Sequence, residues 1–373
     1  MAVLVLPAVA PEVARDYGFD PSLIGYQISL VSIGMVFTLT LLGNTSRRYG
    51  AARTNQLGHV LVATGMLILL TPWSAFLVIG SLVIGLGYGM ITPSASHLLM
   101  RFTPPEQRST VFSLHQTGIP AGGMLAALLS PAIAVYAGWR WAIIVSAVLI
   151  VGVVALMQRN RRHWDDDRDR SAPAVTANPL AGARAIWRDP QLRLIAIAGA
   201  CFSWIQFCAA TFAVVACVAT LDMSLMVAGT VLTVVQIASA GGRVLIGWIV
   251  DRAGGDTARV LAWNAGALML STVAALALDP ALPLPAVYVL FALLGATSGC
   301  WPGVILAEVG RLAPQGQVSL AISGSLVITN VGKFIGPIIF ANVYVLTRSY
   351  GIAFASLVVP AAAALYCLLA ARR

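Results

Sequence analysis

The chain has 373 residues, of which 59% are hydrophobic and only 10% charged. So few charges cannot cover a water-soluble domain of this length, so the composition excludes a soluble enzyme and points to a polytopic membrane protein. The formal net charge of +9 does not call for nucleic acid, because the basic residues gather on one side of the apolar segments.

In chain order, Met1 to Ala10 is apolar but only half the length of a crossing, without the basic start and small-residue cleavage site of a signal peptide. It reads as the outer end of a first helix whose inner half is absent. Runs of crossing length follow at 22–42, 55–71, 75–100, 109–136 and 139–157, then at 192–217, 224–250, 259–278, 284–307, 318–346 and 350–370, eleven full spans. They are long, continuous and rich in Ala, Leu, Val and Gly, unlike the alternating ten-residue segments of a membrane barrel, so the expected class is an all-α membrane protein. With the chain before 22–42 placed outside, one side carries Arg47, Arg101, the Arg159 to Arg170 run, Arg252, Arg311 and Arg372, and the other keeps only Arg15, Arg140 and Arg348. The positive-inside rule then puts the linker and C-terminus in the cytoplasm of a cell membrane, as in a bacterial inner membrane. The five cysteines all fall in spans with no metal-like spacing and read as packing residues.

Between Gln158 and Pro190 the hydropathy collapses into an Arg/Asp run and an Ala/Pro/Ser stretch. This polar linker, 158–190, separates an N-terminal bundle, 1–157, from a C-terminal bundle, 191–373, and its charges read as a solvated cytoplasmic strap. The halves repeat each other. Gly43-xxx-Arg-Arg48-x-Gly50 returns as Gly247-xxx-Asp251-Arg252-x-Gly254, Gly85-xxx-Gly89 with Pro93 returns as Gly295-xxx-Gly299 with Pro302, and Gly118 with Gly122 returns as Gly332 with Gly336, at offsets of 204, 210 and 214. Order and direction are kept, so two six-helix halves in parallel repeat are expected, the first helix incomplete.

The doubled loop motif in this frame resembles the major facilitator superfamily of secondary transporters over the whole chain. The resemblance implies two six-helix bundles that rock about a central site. Arg47 departs from the family's acidic position, where the family braces neighbouring helices in one gating state, and this weakens the N-terminal latch. Segment 113–123, Ser-Leu-His-Gln-Thr-Gly-Ile-Pro-Ala-Gly-Gly, is similar to the fifth helix of cyanate-permease-like and monocarboxylate carriers. A cation on the eighth helix with one on the eleventh resembles the oxalate/formate exchanger branch. That resemblance implies that Arg243 and Lys333 clamp substrate carboxylates and that Trp301 falls near an aromatic wall.

The residues themselves support a site. A charge at mid-membrane costs about 2.5 to 3.5 kcal/mol on insertion scales, so Arg243 and Lys333 should face a polar cavity and find a partner. No carboxylate stands within one turn of either. Arg243 shares a polar, small-sided face with Gln236, Ala240 and Gly247, and its planar fork suits a carboxylate. Its structural alternatives are a pair with Glu308 or snorkelling to the inner surface. Lys333 lies one turn from Asn330 and one turn before Pro337, with neutralisation by burial as its structural alternative. His115 and Gln116 sit on the repeat mate of the helix carrying Lys333, with Gln116 opposite Asn330. Gln27, Trp204, Gln206 and Trp301 are further candidate linings.

No His-Glu-x-x-His, Gly-x-Ser-x-Gly or phosphate loop occurs, which argues against an intramembrane hydrolase or ATP-driven pump. No cofactor or metal is expected. Buried acids, which proton-driven exporters need, are nearly absent, so the cargo should be negative. The reading is a monomeric secondary transporter of a small organic anion, a mono- or dicarboxylate, working as exchanger or cation-coupled symporter. A proton-coupled exporter of drugs or apolar compounds and a non-transporting membrane receptor are the alternatives.

Overall fold

The computed structural model describes residues 1–372 apart from 43–44, 74, 104–107, 174, 176–177, 179, 254–255 and 315–317. Among the described residues the regular structure is all helical. The first helix, α1, is two short pieces, Ala2–Ala8 and Ala10–Tyr17. The rest of the first half is α2 (Ile24–Leu41), α3 (Ala51–Ile68), α4 (Ala75–Phe102), α5 (Arg108–Ala137) and α6 (Trp139–Gln158). The second half holds α7 (Pro190–Leu221), α8 (Leu225–Arg252) and α9 (Thr257–Ala274). It continues with α10 (Leu284–Gly299 and Pro302–Leu312), α11 (Val318–Thr347) and α12 (Tyr350–Ala355 and Val358–Ala371).

Ten of these spans, counting the two parts of α10 and of α12 together, are long and apolar enough to cross a bilayer. The exception among the eleven expected is α3, whose first two turns are polar. Asn55 and Gln56 there are buried in protein, not lipid: Asn55 donates to the Ile91 carbonyl (3.1 Å) and Ser94 (3.0 Å), and Gln56 to the Val154 carbonyl (3.1 Å) and Gln158 (3.0 Å). Proline sets the break in α10, because Pro302 has no N–H to continue the first piece.

The repeat is visible in the packing. The Gly85 backbone lies against the Val31 carbonyl of α2, and the Gly295 backbone against the Val235 carbonyl of α8, too close in each case for a side chain. Val31 and Val235 are themselves mates by the offset of the loop motif. Small residues thus let α4 nest on α2 as α10 nests on α8.

The halves meet along two seams, α2 with α11 and α5 with α8. Contacts crowd toward the end that carries Asp20 and Arg348. Ser29 donates to the Phe334 carbonyl (2.6 Å), Asn342 to the Tyr26 hydroxyl (3.3 Å), and Arg348 pairs with Asp20 (3.3 Å). At the opposite, basic end, the ion pairs among the described residues stay within a half or its adjoining linker. Among the described residues the halves are joined at the first end, and no ion pair joins them at the other.

Most of the linker's charged residues are exposed, as a solvated strap requires, but the acidic run is also docked on the first half. The buried carboxylate of Asp165 accepts from the backbone amides of Ala52 (2.7 Å) and Arg53 (3.1 Å), capping the first turn of α3. Asp167 pairs with His97 (2.8 Å) and Arg101 (3.0 Å), Asp166 pairs with Arg101, and Asp169 pairs with Arg47 (3.2 Å). The acids of the run therefore meet the basic end of the first half. Further on, Ala181–Arg188 is a short helix whose Gly182 lies against Gly324 of α11.

Candidate functional site

The site is built on α8. Gln236, Ser239 and Arg243 stand three and four residues apart on a helix, so all three project from one face. The close approach of α10 closes that face from one side, and α5 and α7 bound it from others. The result is a small cavity of about 50 Å³ lined by Leu4, Ile119, Pro120, Gln206, Phe207, Ala210, Val235, Gln236, Ser239, Arg243, Gly295 and Ser298. It has room for a few waters.

Arg243 is neither snorkelled to a surface nor locked to an acid. Its Nε donates to the Gly299 carbonyl of α10 (3.0 Å) and its Nη1 to the Gln116 carbonyl of α5 (3.2 Å), and no carboxylate pairs with it among the described residues. Glu308, its alternative partner from the sequence, is buried and held by Arg311 (2.6 Å). Carbonyl dipoles compensate a partly buried guanidinium only in part.

Lys333 lies on the other seam. It is 5% exposed, with its Nζ 3.3 Å from the Met35 sulfur of α2 and 4.3 Å from the centre of the Phe207 ring. Phe207 also lines the cavity, so one residue touches both the ammonium and the chamber that Arg243 lines. A thioether and a ring face are weak partners for a buried ammonium.

The other candidates divide. Gln236 lines the cavity, and Trp301 acts on it indirectly, its indole N–H donating to Gln206 (2.9 Å). Gln116 contributes its backbone carbonyl. Asn330 is buried but donates back to the Leu326 carbonyl of its own helix (2.8 Å). Gln27 is buried with no partner for either end of its amide, and the Trp204 indole N–H has none, among the described residues. His115 is exposed. Neither Gln27, Trp204 nor His115 lines the cavity. Sequence reasoning missed Ser239, Ser298 and Phe207. Ser239 was findable, since it falls on the Gln236–Arg243 face, and its buried hydroxyl has no hydrogen-bond partner among the described residues.

Of the loop motif, Gly43 and Gly254 lie outside the described residues. Gly50 takes a positive φ of 95° at the start of α3, and Arg48 donates to the Ala172 carbonyl of the linker (2.9 Å). Gly247, Asp251 and Arg252 close α8, with the Arg252 guanidinium 3.9 Å above the Trp248 ring.

Residues 1–337 match the model of the Major Facilitator Superfamily. The chain belongs to that superfamily. Its homologues and fold are those of membrane transporters, not enzymes. A gallate transporter of Pseudomonas putida is 23% identical across 99% of this chain and 87% of its own length. A hexuronate transporter of Bacillus subtilis is 25% identical over 48% of this chain and 43% of its own, and the 4-hydroxybenzoate transporter PcaK of Pseudomonas putida is 30% identical over 38% and 32%. In three dimensions the chain resembles the nucleoside transporter NupG, with a TM-score of 0.75 at 15% identity, covering 100% of this chain and 96% of that one. The E. coli fucose:proton symporter FucP gives 0.63 at 16% identity, covering 100% and 97%. These two likenesses establish the fold of this superfamily member.

Proposed function

We propose that this transporter carries a small organic anion, a mono- or dicarboxylate, across a bacterial inner membrane by alternating access of its two halves. The observation that carries the reading is Arg243, a guanidinium on the wall of a chamber between the halves, held by two carbonyl oxygens and by no acid among the described residues. The relatives named for gallate, 4-hydroxybenzoate and hexuronate support it, since each of those cargoes is a carboxylate.

Arg243 takes the carboxylate in its fork, Gln236 and Ser239 offer hydrogen-bonding groups beside it, and Phe207 supplies a flat apolar wall. Lys333, which touches that ring, is the second cation, brought to the cargo as α2 and α11 part. With the basic end in the cytoplasm, the described conformation is closed on the outer side, and no ion pair among the described residues joins the halves on the inner side. Two neighbouring cations resist closure around the bare site, and an anion between them relieves the repulsion, which favours exchange or cation-coupled symport over leak.

A thermal-shift screen of the purified protein against aromatic and aliphatic carboxylates, with their amides as controls, tests the reading. A ligand that binds only the folded protein raises its melting temperature. Stabilisation by carboxylates, absent in Arg243→Gln, supports the assignment; stabilisation by the neutral amides alone removes it.

A further inference from the structure

Arg243 meets two backbone carbonyls, and elementary helix chemistry explains why both are free. In a regular helix the carbonyl of Gln116 would accept from the amide four residues further on. That residue is Pro120, inside α5, and proline has no amide proton. The carbonyl of Gly299 ends the first piece of α10, and the next piece starts at Pro302. Helix-end carbonyls likewise have no partner within their helix. One freed carbonyl comes from each half, and both converge on the same guanidinium, at 3.2 Å and 3.0 Å. A cation without an acid and two acceptors without donors satisfy one another. Pro120 also lines the cavity, so the freed carbonyl opens beside the space that the guanidinium faces.

We infer that Pro120 is a positioning residue for Arg243: by freeing the Gln116 carbonyl it fixes the guanidinium across the α5–α8 seam, with its fork turned to the cavity. The break after Gly299 does the same from α10. The Arg243–Gln116 bond joins the two halves, so a shift at this seam changes the arginine's hold on its cargo. This inference rests on the anion-carrying reading for the word cargo, but the proline–carbonyl–arginine unit itself does not.

A double-mutant cycle on the full-length detergent-solubilised protein, read by melting temperature without added ligand, tests the unit. Arg243→Gln alone strands the Gln116 carbonyl in a partly buried seam and lowers the melting temperature by a few degrees. In a Pro120→Ala background the backbone amide gained with the alanine takes that carbonyl, so the same Arg243→Gln change costs less than half as much. Pro131→Ala, at the other proline of α5, leaves the cost of Arg243→Gln unchanged and guards against a general effect of straightening the helix. Equal costs in the wild-type and Pro120→Ala backgrounds overturn the inference. So does a Pro131→Ala background that relieves the cost as much as Pro120→Ala does. If the cycle shows coupling while no carboxylate is bound or carried, the unit stands and the anion reading falls. Where a carboxylate is carried, Pro120→Ala raises its KM roughly tenfold and changes the maximal rate less, as expected when a ligand group is misplaced while the fold is kept.

Discussion

Lys333 of α11 directs its ammonium at the Met35 sulfur of α2, 3.3 Å away across the seam between the halves. A buried ammonium beside a thioether and a phenyl ring is a poor use of stability, and its presence is better explained by function than by folding. Lys333→Met, similar in volume and apolar, should therefore leave the melting temperature unchanged or raise it by a few degrees while reducing carboxylate uptake more than about tenfold. A clear fall in melting temperature would show that the ammonium holds the seam together.

At the closed end, two features of the same seam differ in strength. The Asp20–Arg348 pair is largely exposed, so Asp20→Asn should change stability by less than about 1 kcal/mol and leave uptake near normal. Gly25 is another matter: a Cβ there would sit 2.6 Å from the Phe212 ring and 2.7 Å from the Pro337 carbonyl. Gly25→Leu should keep the halves from closing at that end and abolish transport in a protein that still elutes as the wild type does. Normal uptake by Gly25→Leu would mean that α2 and α11 never need to come so close.

The docked linker predicts a pH signature. Burial pushes the Asp165 carboxyl up from its ordinary value, and the hydrogen bonds from Ala52 and Arg53 oppose this in part. The folded state therefore keeps that proton longer than the unfolded chain, and the contribution of Asp165 to stability falls as pH rises through the window just above the usual aspartate value. Asp166, held down chiefly by its bond to Arg101, and Asp169, held down chiefly by Ser171, have the opposite sign. Their contributions are present above the usual value and are lost as pH falls through their lowered ones. Wild-type stability relative to Asp165→Asn should decline across the first window, and relative to Asp166→Asn should rise with pH below it. Melting curves over a pH series check both signs.

Clamping of the linker also has a kinetic readout. The Asp169 amide donates to the Arg47 carbonyl (2.8 Å) while its carboxylate pairs with the Arg47 side chain. Reversing Arg47 to Glu should expose the Arg168 and Arg170 bonds to trypsin at neutral pH, several times faster than in the wild type. Unchanged cleavage would mean that Asp165 and Asp167 hold the segment without Arg47.

Much of this architecture was legible in the amino-acid sequence because lipid imposes it. Runs of apolar residues must be helices, and the doubled glycine patterns marked where α4 and α10 nest on α2 and α8. The α3 boundary fell four residues inside the observed start, since the missed turn, Ala51 to Thr54, holds the polar Arg53 and Thr54 and is capped by Asp165, a residue distant in sequence. The linker's acids looked solvated because their partners, Arg47, His97 and Arg101, lie on other elements. Arg243 and Gln236 were readable from helical spacing, whereas the partners of Arg243 were not, because a backbone carbonyl carries no residue identity. Pro120, and the helix break that Pro302 follows, were the signal that those carbonyls are free.

The most direct test of the account is uptake of labelled gallate, 4-hydroxybenzoate and a dicarboxylate into proteoliposomes by the wild type and by Arg243→Gln. Saturable uptake of at least one of these acids by the wild type, reduced about a hundredfold or more in a folded Arg243→Gln protein, is the expected result. Equal uptake by the two proteins, or transport of neutral compounds with no flux of any acid, would contradict it.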